Sequence, residues 1–262
     1  MEVWQAILLG AVQGFAEFLP VSSSGHLLLL QRLLGITEGG LFFDVMLHIG
    51  TLIPVFIVFF GDVLNLFKAP FKKMLWLIIA TIPAGLTGVL FGDMVDEAFY
   101  AGTTLSAVLL SITFLLTASE LFISETIQKN SKNALPLSLK RATIMGLAQG
   151  VAIVPGLSRS GTVISAGGFT KLNREENASF AFLMSIPIIL GAALVSGYKA
   201  IKGGIVLEIW PLFFGVLTAA ITGYIAIKVM LKIIKKANYK WFSLYLVIMA
   251  IVSLVSKLAF GV

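Results

Sequence analysis

Cysteine is absent from the 262 residues of this chain, and charged residues are scarce. Without cysteine there is no disulfide framework, no thiol nucleophile and no cysteine-ligated metal. Charged residues make up 12% of the chain and hydrophobic residues 58%, whereas soluble domains carry roughly 25% charged residues. This shortage of charge, with a mean hydropathy of +0.99, excludes an ordinary soluble domain and predicts a multi-span membrane protein.

The excess of basic residues, 19 Lys and Arg against 13 Asp and Glu, does not indicate a nucleic-acid partner. The cations flank apolar segments instead of forming one amphipathic face, which is the pattern that the positive-inside rule produces. No basic segment precedes the first apolar stretch, and that stretch contains Glu17. We therefore expect no cleaved signal peptide.

Apolar windows of about 20 residues, the length that a spanning helix needs, recur along the chain. They lie near 41–60, 74–92, 103–123, 177–198, 209–231 and 241–261. Two further stretches, 3–19 and 139–154, end at short polar runs and are followed by apolar pieces at 24–35 and 161–170. We interpret each of these as a re-entrant helix hairpin, with shallow full crossings as the alternative. The predicted fold class is an all-α integral membrane protein with six spanning helices and two re-entrant hairpins.

The two polar runs, Pro20-Val-Ser-Ser-Ser-Gly-His26 and Pro155-Gly-Leu-Ser-Arg-Ser-Gly161, resemble each other. Six residues recur about 136 positions later. They are Gly10, Gln13, Gly14, Ser22, Ser24 and Gly25, repeated as Gly146, Gln149, Gly150, Ser158, Ser160 and Gly161. The sequence thus predicts one membrane domain, 1–262, built from repeats 1–128 and 137–262. Three spans per repeat is an odd number, so the second repeat is expected to be inverted, as in many transporters.

Lysine and arginine are distributed unequally in this topology. Fourteen lie on the face that carries the linker 124–141, and four lie on the other face with the acidic loop near Asp96. The positive-inside rule makes the first face cytoplasmic. We therefore expect a multi-pass plasma-membrane protein with both termini outside.

The polar runs also predict an anion site. Ser22 and Ser23 can cap a helix that begins after Pro20, and Ser158 can cap the matching helix of the second run. Two helix amino termini that face one cavity attract an anion. Arg159 adds a planar fork of donors that matches phosphate oxygens, so a ligand that bears phosphate is expected.

Glu17 and His26 add ionisable groups to this site. Glu17 lies four residues after Gln13, on the same helix face, and could hold a divalent cation or act as a base. His26 lies three residues after Ser23 and could act as base, acid or nucleophile. Alternatively, Glu17 could be only a structural partner of Arg159.

Other polar residues have simpler interpretations. Ser24 and Ser160 could merely bond the preceding backbone, as serines in membrane helices often do. Asp44 and His48 form another same-face pair at a spacing of four residues, but the window 41–60 places Asp44 near the end of a span. For this second pair the sequence favours a structural role.

At these residues the chain resembles the undecaprenyl-diphosphatase family, membrane enzymes that are also associated with bacitracin resistance. The resemblance covers essentially the whole chain and is most specific at Gln13-Gly-Phe-Ala-Glu17, which is similar to the family's Glu/Gln-x-x-x-Glu element. Phe18-Leu-Pro-Val-Ser-Ser-Ser-Gly-His26 and Pro155-Gly-Leu-Ser-Arg-Ser160 also match. The chain departs from the pattern at Val163, where the family usually has threonine and this chain has Thr162 one position earlier.

The resemblance implies that Glu17, Ser23, His26 and Arg159 carry catalysis, and that Gln13 and Glu17 hold Mg²⁺ or Ca²⁺. Substrate contacts are expected at Gln13, Ser22, Ser24, Gly25, Gly156, Ser158 and Ser160.

The function expected from these residues and this resemblance is that of a membrane phosphatase. It would remove the terminal phosphate of a C55 polyprenyl diphosphate and so recycle the carrier lipid of cell-wall (peptidoglycan) synthesis. Ser23 is the expected nucleophile, while attack by water or by His26 stays open. The competing hypothesis is a transporter that moves a polyprenyl phosphate across the bilayer through the same anion site. Oligomeric state, with a homodimer as one option, metal preference and chain-length preference are left open.

Overall fold

The computed structural model describes residues 1–36, 40–130, 134–202, 208–236 and 238–261. Within these ranges the chain forms eleven helices and one isolated bridge between Leu135 and Leu172. The helices are α1 Val3–Phe18, α2 Ser23–Leu33, α3 Gly40–Val58, α4 Phe60–Leu66, α5 Lys72–Tyr100, α6 Thr104–Asn130, α7 Leu139–Val151, α8 Arg159–Phe169, α9 Arg174–Lys202, α10 Ile209–Lys236 and α11 Lys240–Phe260. The prediction of an all-α protein is confirmed for the described residues. Lys132, which was assigned to the cytoplasmic face, lies outside them.

Five helices, α5, α6, α9, α10 and α11, are long and apolar enough to cross a membrane. The sixth predicted window, near 41–60, corresponds to α3 and α4, which meet at an angle of 86°. Phe59 leaves helical geometry between them, with φ −105° and ψ 23°. The described residues thus contain five helices that could cross a membrane, or six if the bent pair counts as one span, as expected for a multi-pass membrane protein.

Helix α1 packs closely along α10 through small residues. A Cβ atom on Gly10 would overlap the carbonyl oxygen of Gly215, and one on Gly14 would overlap the Thr222 hydroxyl. Such small residues let membrane helices approach each other closely and gain van der Waals contact. This interface holds the carboxyl end of α1, and therefore Glu17, against α10.

Helix α7 packs in a similar manner along α5. A Cβ atom on Gly146 would lie 2.5 Å from the carbonyl oxygen of Ala80, and one on Gly150 would lie 3.2 Å from Pro83. Thr87 on α5 adds a hydrogen bond of 2.8 Å to the carbonyl oxygen of Gly150. The helix that precedes the second polar run is therefore held against α5 by close glycine contacts, as the helix that precedes the first run is held against α10.

Two interruptions of the helices lie against each other in the interior. We call residues 19–22, between α1 and α2, the first break and residues 152–158, between α7 and α8, the second break. A Cβ atom on Gly25 would lie 3.1 Å from Cα of Gly156, and one on Gly161 would lie 3.2 Å from Cβ of Pro20. The two polar runs, far apart in sequence, therefore form one polar centre.

Candidate active site

The helix that follows each break begins with a serine cap. Ser22 Oγ accepts a hydrogen bond of 3.3 Å from the backbone N–H of Gly25, and Ser158 Oγ accepts one of 3.1 Å from Gly161. Each cap satisfies one of the free N–H groups of a helix start. Ser22 caps α2 from the left-handed region, at φ +69°, and Ser23 is the first residue inside the helix. The caps at Ser22 and Ser158 were predicted from the sequence, whereas the prediction that Ser23 also caps α2 was wrong, because Ser23 already has helical geometry.

Two threonines of α6 hold the second break, and the sequence analysis missed them. Thr113 donates to the carbonyl oxygen of Pro155 at 2.8 Å, and Thr117 accepts from the N–H of Ser158 at 3.0 Å. Gly156 between these contacts has φ +88°, a conformation that favours glycine, and a Cβ there would overlap Thr113. The sequence feature that could have revealed them is their spacing of four residues, which places both threonines on one face of α6.

Glu17 is the centre of the polar site and is only 5% exposed. Its Oε1 forms an ion pair with Nη2 of Arg159. Its Oε2 accepts hydrogen bonds from Ser23 Oγ at 2.7 Å and from Gln13 Nε2 at 3.0 Å. Nε2 of His48 lies 3.4 Å from the same oxygen. The structure thus brings Gln13, Glu17, Ser23 and Arg159 together.

Two buried polar atoms of this cluster have no hydrogen-bond partner among the described residues. They are Oε1 of Gln13 and Nη1 of Arg159. Buried polar groups are nearly always hydrogen-bonded, so such exceptions often mark a ligand site. Oε1 of Gln13 is an acceptor of the kind that hard cations prefer, and Nη1 of Arg159 is a donor that suits an anion.

His26 lies apart from the Glu17 cluster. Its Nδ1 is 2.7 Å from the carbonyl oxygen of Ser22, and its Nε2 is 2.7 Å from the Tyr245 hydroxyl. Its ring stacks on Tyr245 with centroids 5.5 Å apart and meets the edge of Phe114 at 5.6 Å. Both ring nitrogens are engaged, and neither contacts Ser23 or Glu17. The sequence placed His26 three residues from Ser23 but gave no sign of this aromatic partner.

Ser24 and Ser160 contact the neighbouring cap serines. Ser24 Oγ lies 3.4 Å from Ser22 Oγ, and Ser160 Oγ lies 3.3 Å from Ser158 Oγ. Ser160 is also 3.4 Å from the carbonyl oxygen of Leu19, across the junction of the two breaks. These hydroxyls surround the junction of the two helix starts and do not contact Glu17. The same is true of Gly25 and Gly156, which were expected to contact the substrate.

Asp44 and His48, the same-face pair on α3, have different roles. Asp44 is buried, and its Oδ1 accepts a hydrogen bond of 2.6 Å from Gln31 on α2, which fits the structural role that the sequence favoured. His48, one turn later, reaches Glu17. The sequence identified the pair but not this contact, because the contact depends on how α3 packs against α1.

Thr162, the displaced threonine of the second run, contacts a different carboxylate. Its Oγ1 donates to Oε2 of Glu120 on α6 at 2.8 Å. This contact joins α8 to α6 and places Thr162 outside the Glu17 cluster.

An apolar groove of about 450 Å³ runs beside His26, between α1 and α11. Its lining residues are Ala11, Val12, Phe15, Ala16, Leu19, Val21, His26, Trp241, Phe242 and Tyr245. The groove is thus apolar along its length and has the hydrogen-bonded pair His26 and Tyr245 in its wall, at the edge of the polar centre.

Comparison with known proteins gives consistent matches over the whole chain. A family model described as "Bacitracin resistance protein BacA" matches residues 6–252. The undecaprenyl-diphosphatase of Carboxydothermus hydrogenoformans is 41% identical, and the alignment covers 99% of each chain. The undecaprenyl-diphosphatases of Halothermothrix orenii and Methanosphaera stadtmanae are each 39% identical, with 97% of this chain and 98% of the relative covered.

Proposed function

The chain belongs to the family of the bacitracin resistance protein BacA, and from this premise we propose that it is an undecaprenyl-diphosphatase. It hydrolyses a polyprenyl diphosphate within the membrane to the monophosphate and inorganic phosphate. Full-length relatives with this name support the reaction. The observation that carries the chemistry is the 2.7 Å hydrogen bond from the Ser23 hydroxyl to the Glu17 carboxylate.

Ser23 is the proposed nucleophile and Glu17 its base. Ser23 Oγ transfers its proton to Glu17 and forms a bond to the terminal phosphorus, while the bond from that phosphorus to the bridging oxygen breaks. The polyprenyl monophosphate leaves with the proton that Glu17 had accepted, and a phosphoserine remains. Water then attacks the phosphoserine and gives a proton to the free Glu17 carboxylate, which passes it to Ser23 Oγ as inorganic phosphate leaves.

Arg159 and the two helix starts stabilise the charge of the transferring group. Nη2 of Arg159 is paired with Glu17, whereas its buried Nη1 has no partner among the described residues. Nη1 is therefore the group that donates to a phosphate oxygen. The amino termini of α2 and α8 meet at the same centre and add their N–H groups. In phosphoryl transfer this positioning and charge stabilisation supply most of the catalysis.

A divalent cation, Mg²⁺ or Ca²⁺, would be held by Glu17 and Gln13. No cluster of three or more His, Asp or Glu side chains in the described part of the chain could hold a metal alone. The donors nevertheless fit a cation that takes one carboxylate, one amide oxygen and the phosphate oxygens of its substrate. When bound, such a cation neutralises part of the diphosphate charge.

The finer architecture that we propose is the inverted repeat 1–128 and 137–262 with two re-entrant hairpins. The packing supports it, because equivalent glycines, Gly10 with Gly14 and Gly146 with Gly150, press the first helix of each hairpin against α10 and α5. Each hairpin thereby contacts the middle span of the opposite repeat. The charge distribution supports a cytoplasmic linker, with both termini outside the plasma membrane.

The apolar groove between α1 and α11 supports a lipid substrate. His26 and Tyr245 lie in the groove wall, and His26 also belongs to the first turn of α2. A polyprenyl chain in the groove would therefore begin near the polar centre, where its diphosphate is bound. Grooves of this size and polarity are typical of ligand sites.

Phosphate release by the purified protein tests the proposal. Protein in detergent with Mg²⁺ or Ca²⁺ is given a C55 polyprenyl diphosphate, and Glu17→Gln is the matched control because it keeps the shape of the side chain and removes its charge. We expect rapid release by the wild type and almost none by the control. Equal release by both would contradict the role of Glu17 as the base, and binding of the lipid without release would favour a carrier of polyprenyl phosphates.

A further inference from the structure

We infer that His48 is a positioning residue for the reaction, and that it holds the Glu17 carboxylate where Ser23 can deliver its proton. This inference rests on the proposed function, since it assigns Glu17 the role of base. It goes beyond the residues expected from the sequence, which assigned His48 no part in the site.

The His48 ring is fixed on both sides. Nδ1 lies 2.7 Å from the carbonyl oxygen of Asp44, one turn earlier in α3. A carbonyl oxygen only accepts, so Nδ1 is the donor in this contact. The bond sets the plane of the ring and leaves Nε2 3.4 Å from Oε2 of Glu17. Because Nδ1 is a donor, Nε2 carries an N–H toward the carboxylate only in the imidazolium form, so this contact is an ion pair with the protonated ring.

His48 is the group that ties Glu17 Oε2 to α3. Gln13, which binds the same oxygen, belongs to α1 like Glu17 itself and cannot fix the position of α1 relative to other helices. Ser23 supplies the reacting hydroxyl from α2. With Arg159 on Oε1, the contact from His48 restrains rotation of the carboxylate, so that Oε2 keeps facing Ser23.

Asp44 supports the same arrangement from outside the reacting atoms. Its side chain accepts a hydrogen bond of 2.6 Å from Gln31, and this bond joins α3 to α2. These are the helices that present His48 and Ser23. The buried contact between Asp44 and Gln31 therefore sets the distance between His48 and Ser23. It lies one to two helical turns away from these two residues.

Two substitutions that introduce side chains of equal length distinguish a positioning role of His48 from a packing role. His48→Gln keeps an N–H donor that can reach Glu17, whereas His48→Met fills similar space without one. A misplaced reacting group costs on the order of 100-fold in rate, so we expect His48→Met to lower kcat about 30- to 100-fold with little change in KM. His48→Gln should recover most of that loss. Ile53→Leu, at an exposed position of α3, is the control and should stay close to the wild type.

The labelling rate of Ser23 by a fluorophosphonate probe gives a second readout that needs no lipid substrate. It should fall in His48→Met, recover in His48→Gln and be absent in Ser23→Ala. Equal kcat and equal labelling in the Gln and Met variants would overturn the inference, and so would an active wild type that the probe does not label. If His48→Met does not fold, His48→Asn replaces it, because its amide is too short to reach Glu17. Phosphate release by the wild type tests the proposed function separately, and the labelling ratio decides on His48 even if that release fails.

Discussion

Replacing Arg159 with methionine would leave the Glu17 carboxylate buried without its cation. The Arg159 side chain is 17% exposed and that of Glu17 is 4% exposed, so solvent cannot compensate for the lost charge. Breaking a buried ion pair by removing one partner costs about 3–5 kcal/mol. The contacts from Ser23, Gln13 and His48 remain, so we expect a value near the lower limit of that range.

This loss can be measured as a shift in thermal unfolding in detergent. A change of 1 kcal/mol shifts Tm by roughly 2–4 °C in a chain of this size, so Arg159→Met should lower Tm by about 6–12 °C. Adding Glu17→Gln removes the uncompensated charge, and the double variant should return to within about 3 °C of the wild type.

Activity should not follow stability in this series. Both Arg159→Met and the stable double variant should lose at least about 1000-fold in phosphate release, because arginines that stabilise the transferring phosphoryl group contribute that much. Arg159→Met with an unchanged Tm would refute the description of Glu17 as a buried, charge-compensated group. A double variant that stays unstable would refute the reason given for the loss.

Three further predictions concern the nucleophile, the topology and the groove. Ser23→Ala should fold normally and release almost no phosphate, and near-normal turnover would move the nucleophilic role to water or His26. In intact cells a cysteine at Lys235 should be shielded from an impermeant thiol reagent, whereas one at Asp96 should react; the reverse pattern would contradict the orientation. Ala11→Phe should raise KM for a C55 diphosphate more than for a C15 diphosphate by filling the groove, whereas Ala192→Phe, on the exposed face of α9, should change neither. Equal effects of the two alanine variants would contradict the groove.

The sequence predicts well those features that local rules decide. The stretch 3–19 corresponds to α1 at Val3–Phe18, and 139–154 corresponds to α7 at Leu139–Val151. Proline and serine mark the first break because proline disrupts a helix and serine caps one. Hydropathy and end signals therefore suffice for α1, for α7 and for the positions of both breaks.

The parts of the site that the sequence missed depend on packing between distant helices. His48 meets Glu17 only because α3 lies beside α1, and His26 meets Tyr245 only because α11 lies beside the first break. Both contacts join side chains whose separation along the chain carries no periodic signal. The bend at Phe59 lies inside the apolar window 41–60, where hydropathy gives no sign of a break.

The close packing of α1 on α10 also constrains how the chain can be made. At about 5–20 residues per second, the ribosome needs roughly 10–40 seconds to travel from the end of α1 to the start of α10. During that interval Gln13 and Glu17, which end up enclosed by protein, have no finished partner surface. During this interval the nascent chain must keep these two polar side chains, at the carboxyl end of a short apolar helix, away from the lipid. We therefore expect α1 to take its final place in the bilayer late in synthesis, after its partner helix α10 has emerged.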